Sequence, residues 1–342
     1  ITLAARRIED YHRHQIARGY KVQRESGVNL EQRILPLQRV GIYAPGGKAS
    51  YPSTILMAAI PARLAGVKEI ILVSPAKEGL LDPLIIAAAK ISGVKRIFKI
   101  GGAQAVAALA YGTQTIPRVD KIVGPGNAYV AAAKKIVFGQ VDIDMIAGPS
   151  EVVVIADNTA HARYVAADML AQMEHDEMAA AVLLTPSEAV AQRVLREIDR
   201  QTESSSRKKI IEKSLARYCA IIVTKSIAEA LDLANAFAPE HLELMVKNPK
   251  RLSDNVRNAG SVFLGSFTPE ALGDYMAGTN HILPTGGTAR FSSPLGVYDF
   301  YKRMSVLFFS RAAFNKLSGP TAHFARREGL DAHAHSVLVR KK

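Results

Sequence analysis

The stretch RVGIYAPGGKASYPSTILMAAIPARLAGVKEIILVSP, residues 39–75, decides the fold. A short apolar run, residues 39–45, precedes a segment with apolar residues at helical spacing, residues 50–66, which stops at a glycine. A second apolar run follows at residues 69–75. Runs of this length predict buried strands, and a glycine after the last apolar position predicts the end of a helix. The stretch therefore predicts a parallel β-α-β unit.

The same alternation continues to about residue 265. The further predicted strands are residues 96–102, 121–126, 150–157, 180–186, 218–226 and 260–265. The further predicted helices are residues 83–93, 103–112, 127–139, 159–176, 187–201 and 226–239. Two such series in tandem predict an α/β protein with two doubly wound domains and a ligand cleft between them. Residues 201–209 are predicted as an exposed loop, and residues 310–342 as a helical tail too small to fold alone.

The single cysteine, Cys219, lies in the apolar run RYCAIIVT. One cysteine excludes a disulfide within the chain and a CxxC metal site, and it favours a reducing compartment. We predict Cys219 as a small core residue in a buried strand rather than as a nucleophile. The first residues, ITLAARRIEDYHRHQ, are amphipathic and include acids, so we expect no signal peptide; no apolar run is long enough to cross a bilayer. A cytoplasmic protein without a membrane partner is predicted.

The net charge of +13 raises the question of a nucleic-acid partner. The basic residues are scattered in short groups, such as SSRKKIIEK and the final VRKK, and aromatic residues are not interleaved with them. This distribution is typical of a solvated surface that can also attract anionic small molecules. We therefore predict no nucleic-acid partner.

Four glycine-rich loops fall at predicted strand ends: YAPGGKASYPS, IGGAQAVAA, VGPGNAYV and IAGPSEV. None of them contains GxGxxG or GxxxxGK[ST], so the common phosphate-binding motifs are absent. Each loop is expected to precede a helix, whose first N–H groups favour anions. One such loop is typical of a tight connection, but four at equivalent strand ends predict a ligand cleft.

Several polar residues in these surroundings have side chains that suit a metal. Gln172 and His175 are three residues apart near the end of a predicted helix, which places them on one face. Asp274 lies in the glycine-rich stretch GDYMAGTNHILPTGG, and His333 lies in the tail stretch EGLDAHAHSV. Zinc accepts histidine nitrogen and carboxylate oxygen, and a catalytic zinc keeps one position open for substrate. Spacing alone leaves open whether these four residues converge, and each of them can also be an ordinary surface or core residue.

Eight motifs, in this order, resemble those of the histidinol dehydrogenase family: VGIYAPGG, GGAQAVAALAYGT, VDKIVGPGNAYV, DMIAGPSEVVVIAD, APEHLEL, GSVFLG, GDYMAGTNHILPT and GLDAHAHSV. The resemblance covers about residues 1–340. It implies oxidation of L-histidinol to L-histidine through L-histidinaldehyde, in two hydride transfers, as the last steps of histidine biosynthesis. It also implies NAD and one Zn²⁺ per subunit as cofactors, and a homodimer with shared active sites.

The resemblance implies two tandem incomplete Rossmann-like domains and a small helical C-terminal tail. Residues 43–151 are expected to form the NAD-side domain, and residues 1–42 with 152–295 the catalytic zinc domain. Residues 296–342 are expected to form the tail, which donates to the partner subunit's site. Family members carry a longer segment before the first motif, and that segment packs at the dimer interface.

The resemblance also carries site residues over to matching positions. The catalytic pair is Glu240 and His241. The implied zinc ligands are Gln172, His175, Asp274 and His333, all of which also touch the substrate. The further substrate contacts implied are Ser150, His241, Tyr275, His281 and Glu328. The implied NAD contacts are Tyr43, Gln104 and Asn127.

These residue types suit the chemistry that the resemblance implies. His241 is the expected base that takes the alcohol proton, and Glu240 is the expected base that activates water on the aldehyde. One departure is AQMEHDEM, in which Met173 and Asp176 differ from the residues common in the family. Two alternatives stay open: a related zinc and NAD dehydrogenase of another polar or sulfonated alcohol, and a binding protein without activity.

Overall fold

The computed structural model describes residues 1–23, 25–46 and 51–341. Residues 47–50 of the first predicted glycine-rich loop lie outside the described residues. The chain forms two compact units. Unit 1 comprises Ile1–Ile16 and Leu37–Phe300, and unit 2 comprises Ala17–Pro36 and Tyr301–Lys342.

The secondary structure alternates strands and helices along most of the chain. The strands are β1 Tyr20–Val22, β2 Val28–Pro36, β3 Arg39–Tyr43, β4 Glu69–Val73, β5 Arg96–Phe98, β6 Lys121–Val123, β7 Asp142–Ile143, β8 Glu151–Ala156, β9 Ala180–Thr185, β10 Cys219–Val223, β11 His241–Met245, β12 Ser261–Leu264 and β13 Tyr301–Phe309. The helices are α1 Thr2–His12, α2 Pro52–Ala65, α3 Pro83–Ser92, α4 Gly102–Tyr111, α5 Ala128–Val137, α6 Ala162–Met173, α7 Glu188–Glu203, α8 Lys208–Tyr218, α9 Ile227–Phe237, α10 Pro249–Ser253, α11 Glu270–Tyr275, α12 Arg311–Arg327 and α13 Asp331–Leu338.

Unit 1 contains two parallel five-stranded sheets. The first has the order β5-β4-β3-β6-β7, and the second has the order β10-β9-β8-β11-β12. Parallel neighbours require crossover connections, which the helices between the strands supply. The predicted fold class of two tandem doubly wound halves is confirmed. The division of the chain into an NAD-side and a catalytic domain stays a prediction.

Glycines end two of the crossover helices, as the sequence predicts. Gly66 follows α2 with φ 89°, and Gly93 follows α3 with φ 87°. This left-handed conformation suits a residue without Cβ and lets the chain turn sharply back into the sheet. The helices then cover the sheet faces, as the buried cluster of α4, α5 and strand residues in the first sheet illustrates.

Unit 2 contains a three-stranded antiparallel sheet of order β1-β2-β13, together with α12 and α13. The helical tail is as predicted, but the sheet was missed. β2 and β13 pair over nine residues each, and their buried and exposed positions do not alternate cleanly. Leu307 and Phe308 of β13 are 63% and 57% exposed. The pattern of apolar residues therefore gave no period-two signal.

Two further predictions from the sequence were wrong. Cys219 opens β10, which is an edge strand with mostly exposed residues rather than a buried one. The predicted loop at 201–209 is shorter, because α7 runs to Glu203 and α8 begins at Lys208. Burial of the Cys219 thiol raises its pKa, which agrees with its predicted lack of nucleophilic character. Among the described residues, no helix combines the length and apolar character that a membrane span requires.

A buried ion pair anchors the loop after β6. The side chains of Lys134 and Asp144 are 2% and 1% exposed and pair with each other. Asp144 Oδ2 accepts the Gly124 N–H at 2.7 Å, and Lys134 Nζ donates to the Gly124 carbonyl oxygen at 3.1 Å. The N–H of Gly124 is therefore held by the Asp144 carboxylate, and its carbonyl group by the Lys134 ammonium, while the two side chains pair with each other.

We expect Asp144→Ala to lower the free energy of unfolding by about 3–5 kcal/mol, because it leaves the Lys134 ammonium buried without its carboxylate partner. Asp10→Ala is the control, since the Arg6–Asp10 pair is exposed and should contribute less than about 1 kcal/mol. Urea denaturation of both variants beside the unsubstituted protein measures the difference. Equal losses in the two variants would contradict the buried-pair account.

Candidate active site

A cavity of about 760 Å³ lies in unit 1, and we call it the site cavity. One side is formed by residues at the carboxyl ends of first-sheet strands, including Tyr43, Pro75 and Asn127. The other side is formed by residues at the amino ends of β8 and β11, including Ser150 and His241. The two sheets thus present opposite strand ends to the same space.

This arrangement corrects one prediction about the glycine-rich loops. The first three loops precede helices, as predicted from the sequence. The fourth, IAGPSEV, leads directly into β8, because there the chain passes from the last strand of one sheet to the first strand of the next. That loop therefore lies at an amino end of a strand and is not equivalent to the other three.

His241 opens β11 and has a defined proton arrangement. Its Nδ1 lies 3.2 Å from the Glu151 carbonyl oxygen, which can only accept, so Nδ1 carries the hydrogen. Nε2 then has a free lone pair, and it is buried without a hydrogen-bond partner among the described residues. Asp274 Oδ1 is 3.9 Å from it. Burial lowers the His241 pKa to about 3, so the ring is neutral.

Glu240, Glu243, Glu270 and Asp274 form a buried group of acids that we call the carboxyl cluster. Glu240 and Glu270 lie within 3.7 Å of His241 Nδ1, and Glu243 accepts the Glu270 N–H at 3.0 Å. In the described part of the chain, no lysine or arginine forms an ion pair with any member. The acid groups of the cluster therefore lack a basic side chain as counter-charge among the described residues.

The pKa values reflect this lack of positive charge. Burial raises the pKa of Glu240, Glu243 and Glu270 well above the usual range, and the neighbouring acids raise that of Glu270 further. Burial also raises the pKa of Asp274 to about 7. A cation at this point would reverse the shifts, because it stabilises ionised carboxylates.

The donors present fit a metal ion. Nitrogen and oxygen atoms of His241, Glu270 and Asp274 lie within 4.8 Å of one another. Imidazole nitrogen and carboxylate oxygen are donors of the kinds that zinc accepts. Of the predicted ligands, Asp274 belongs to this group and Gln172 contacts its Glu270.

His175 lies just beyond the end of α6, which is shorter than the predicted helix of residues 159–176. It lines the site cavity, and burial lowers its pKa, so that a neutral ring nitrogen is available there. Asp274 is also placed differently from the prediction, since it lies in α11 rather than in a loop.

The wall around His281 is held by α2. Pro61 has no N–H and cannot bond the Met57 carbonyl oxygen; Asn280 Nδ2 donates to that oxygen instead, at 2.8 Å. The following residue, His281, has its Nδ1 3.2 Å from the Asp274 carbonyl oxygen and its Nε2 3.1 Å from Thr54 Oγ1. Both ring nitrogens of this predicted substrate contact are therefore already engaged.

The residues predicted to hold NAD lie in different surroundings. Tyr43 and Asn127 line the site cavity, whereas Gln104 is exposed on α4 and is not among its described lining residues. The Tyr43 hydroxyl accepts the Gly102 N–H at 2.9 Å. Asn127 Oδ1 caps α5 by accepting the N–H groups of its first turn at 3.1 Å.

Ser150 and Tyr275 also line the site cavity. Glu328 and His333 belong to unit 2, and all described lining residues of the cavity belong to unit 1. The sequence analysis missed Glu270, Glu243 and Thr54. The spacing of Glu270, four residues before Asp274, was a usable signal for a shared helix face, whereas Thr54 gave none.

The chain matches known proteins over its whole length. A family model described as histidinol dehydrogenase covers residues 1–341. A histidinol dehydrogenase of Aquifex aeolicus is 54% identical over 341 residues, which are 100% of this chain and 79% of that protein. A histidinol dehydrogenase of Lactococcus lactis is 52% identical over 334 residues, 97% of this chain and 78% of that protein.

Solved structures agree with the sequence relatives. The crystal structure of histidinol dehydrogenase from Elizabethkingia anophelis aligns with a TM-score of 0.93 and 42% identity, covering 99% of this chain and 79% of that one. An acetylating aldehyde dehydrogenase from Geobacillus thermoglucosidasius aligns with a TM-score of 0.59 and 14% identity, covering 90% and 83% of the two chains. At that identity only the fold is shared.

The raised pKa of Asp274 predicts a pH-dependent effect of Asp274→Asn. The native carboxyl keeps its proton up to about pH 7, whereas the unfolded one loses it near 3.8. The unsubstituted protein should therefore lose stability as the pH rises between these values, by up to about 1.4 kcal/mol per pH unit. The amide of the variant cannot titrate, so the variant should gain relative stability from about pH 4 to about pH 7. Urea denaturation with a chelator present measures this; a difference independent of pH would contradict the assigned shift.

Proposed function

Because this chain belongs to the histidinol dehydrogenase family, a family of oxidoreductases, we propose that it oxidises L-histidinol to L-histidine through L-histidinaldehyde in the cytoplasm. The observation that carries the proposal is the neutral His241, whose free Nε2 lies beside Asp274 in the site cavity. A cavity of about 760 Å³ has room for a small amino alcohol and part of a cofactor.

His241 is the base for the alcohol proton. Its Nδ1–H bond to the Glu151 carbonyl oxygen fixes the ring, so that the Nε2 lone pair is the atom that accepts the proton. The carboxyl cluster around the ring stabilises the imidazolium that forms, once its members are ionised. After the imidazolium has released the first proton to solvent, the same atom accepts the second proton, from the hydrated aldehyde.

Glu240 activates water for the hydration of the aldehyde. Its Oε2 accepts the Glu151 N–H at 3.0 Å, which holds the carboxyl group at the amino end of β8, and the residue lines the site cavity. Its raised pKa favours the protonated acid unless a cation is near. Ionised, it can take a proton from water.

Zinc and NAD are the proposed cofactors. Gln172, His175, Asp274 and His333 would hold the zinc ion, and Tyr43, Gln104 and Asn127 would hold NAD. When bound, zinc orients the substrate's imidazole and amine, and NAD accepts the hydride. The protein binds and orients: Ser150, Tyr275, His281 and Glu328 would contact the substrate, and the zinc ligands would contact it as well.

The active form is proposed to be a homodimer with shared sites. Glu328 and His333 belong to unit 2, and both side chains are exposed. In the same unit, Phe308 and Phe324 are 57% and 67% exposed. Exposed aromatic residues of this kind favour contact with a second chain, to which the tail would bring His333.

His175→Ala is expected to remove bound zinc, from about one ion per chain to near none, and to lower the rate of NADH formation from histidinol about 100-fold or more. His161→Ala is the control, because that histidine is exposed at the start of α6 and is not among the described lining residues of the site cavity. Metal analysis and the NADH assay on both variants give the answer. Full metal content and activity in His175→Ala would overturn the ligand assignment.

Mixing two inactive variants tests the shared site. His333→Ala and His175→Ala should each be inactive alone. After subunit exchange, half of the dimers are mixed and hold one intact site of two, so about a quarter of the activity should return. His335→Ala, an exposed neighbour in α13, should stay active throughout. No recovery despite demonstrated exchange would mean that His333 serves its own chain or none.

A further inference from the structure

We propose that Glu270 is a positioning residue, which fixes the Gln172 carboxamide so that its oxygen, and not its nitrogen, is available to a metal ion. The inference rests on the proposed zinc site and extends it to a residue that holds a ligand rather than one that binds the metal.

Glu270 is well placed for this role. It is the first residue of α11, its side chain is 4% exposed, and Asp274 follows one turn later in the same helix. Glu243 Oε1 accepts its backbone N–H at 3.0 Å and so fixes the start of the helix. The position of the Glu270 carboxyl group is therefore set by the fold before any metal binds.

The contact with Gln172 determines which way the amide faces. Assigned from its neighbours, the carboxamide nitrogen lies 2.6 and 2.7 Å from the two Glu270 oxygens, and the carboxamide oxygen lies 3.2 Å from the Glu151 nitrogen. Gln172 is fully buried, so water cannot replace these partners. The amide nitrogen only donates, and at least one Glu270 oxygen accepts in either protonation state.

An amide can bind a metal only through its oxygen, because its nitrogen offers hydrogens and no free lone pair. Where position 270 offers a donor beside the acceptor, or no acceptor within reach, the carboxamide can turn over and present N–H groups to the ion. Partners of this kind, which orient a ligand, typically change metal affinity about 10–100-fold.

Glu243 provides a matched control for charge. It is a glutamate of the same carboxyl cluster and is 1% exposed, but its described contacts are with the Glu270 N–H and the Asp168 side chain rather than with the Gln172 amide. Glu270→Gln and Glu243→Gln each remove one buried acid, but only the first replaces one of the two oxygens that face the Gln172 amide nitrogen by an N–H donor. Glu270→Asp keeps the charge but draws the oxygens back by one methylene.

The test is the zinc Kd of the full chain, measured by competition with a chelator, with circular dichroism to show that each variant is folded. Glu270→Gln and Glu270→Asp are both expected to weaken zinc binding about tenfold or more. Glu243→Gln should weaken it about threefold at most. In a Gln172→Ala background, which has no amide to orient, Glu270→Gln should add less than about a threefold loss.

Equal losses in Glu270→Gln and Glu243→Gln, or an unchanged Kd in Glu270→Asp, would show that only charge matters and would overturn the role. A full additional loss in the Gln172→Ala background would also overturn it. These outcomes leave the proposed function intact if His175→Ala still abolishes zinc binding. A protein that binds no zinc at all would overturn both proposals.

Discussion

The amino end of β8 holds the candidate site together. The two backbone groups of Glu151 bond to successive side chains at the start of β11: its N–H to Glu240 Oε2 at 3.0 Å, and its carbonyl oxygen to His241 Nδ1 at 3.2 Å. β8 and β11 are parallel neighbours in the second sheet, so this pairing is fixed by the ladder of the sheet itself. Pairing in the sheet thereby sets the tautomer of one proposed base and the position of the other.

The carboxyl cluster shows a conflict between folding and function. Buried acids without cationic partners cost stability, and they are kept only where another requirement retains them. Glu243 Oε1 accepts the Glu270 backbone N–H at 3.0 Å, so the cluster is tied to the first residue of α11, the helix that also carries Asp274. A divalent cation would offset the charge of the cluster, with which no lysine or arginine forms an ion pair in the described part of the chain.

More of the fold than of the candidate site could be predicted from the sequence. The alternation of short apolar runs and helical segments predicted eight of the ten described strands of the two parallel sheets, because strands buried on two faces read as apolar runs; β7 and β11 were missed. The sheet of unit 2 was missed, since Leu307 and Phe308 are adjacent apolar residues and both are exposed. In the site, Asp274 and His241 were found through a motif, but Glu270 and Thr54 act through contacts between segments far apart in sequence.

The link from Pro61 through the Met57 carbonyl oxygen to Asn280 is of the same kind. A proline inside a helix predicts a free carbonyl group one turn earlier, but it does not predict the partner of that group. Contacts of this sort depend on how the segments pack, and packing leaves no periodic signal in a single sequence.

The two sheets point opposite strand ends at the site cavity, so its two walls favour ligands of opposite charge. The first-sheet side carries the starts of α2, α4 and α5, whose free N–H groups favour negative charge. The second-sheet side carries the carboxyl cluster, which favours positive charge. Phosphate groups of a dinucleotide and a metal ion with a cationic amino alcohol would therefore be drawn to different walls. A hydride transferred between such ligands would cross only the space between the two walls. The two sheets face the cavity with opposite strand ends because the chain passes from β7 of the first sheet to β8 of the second through a loop, with no helix between them.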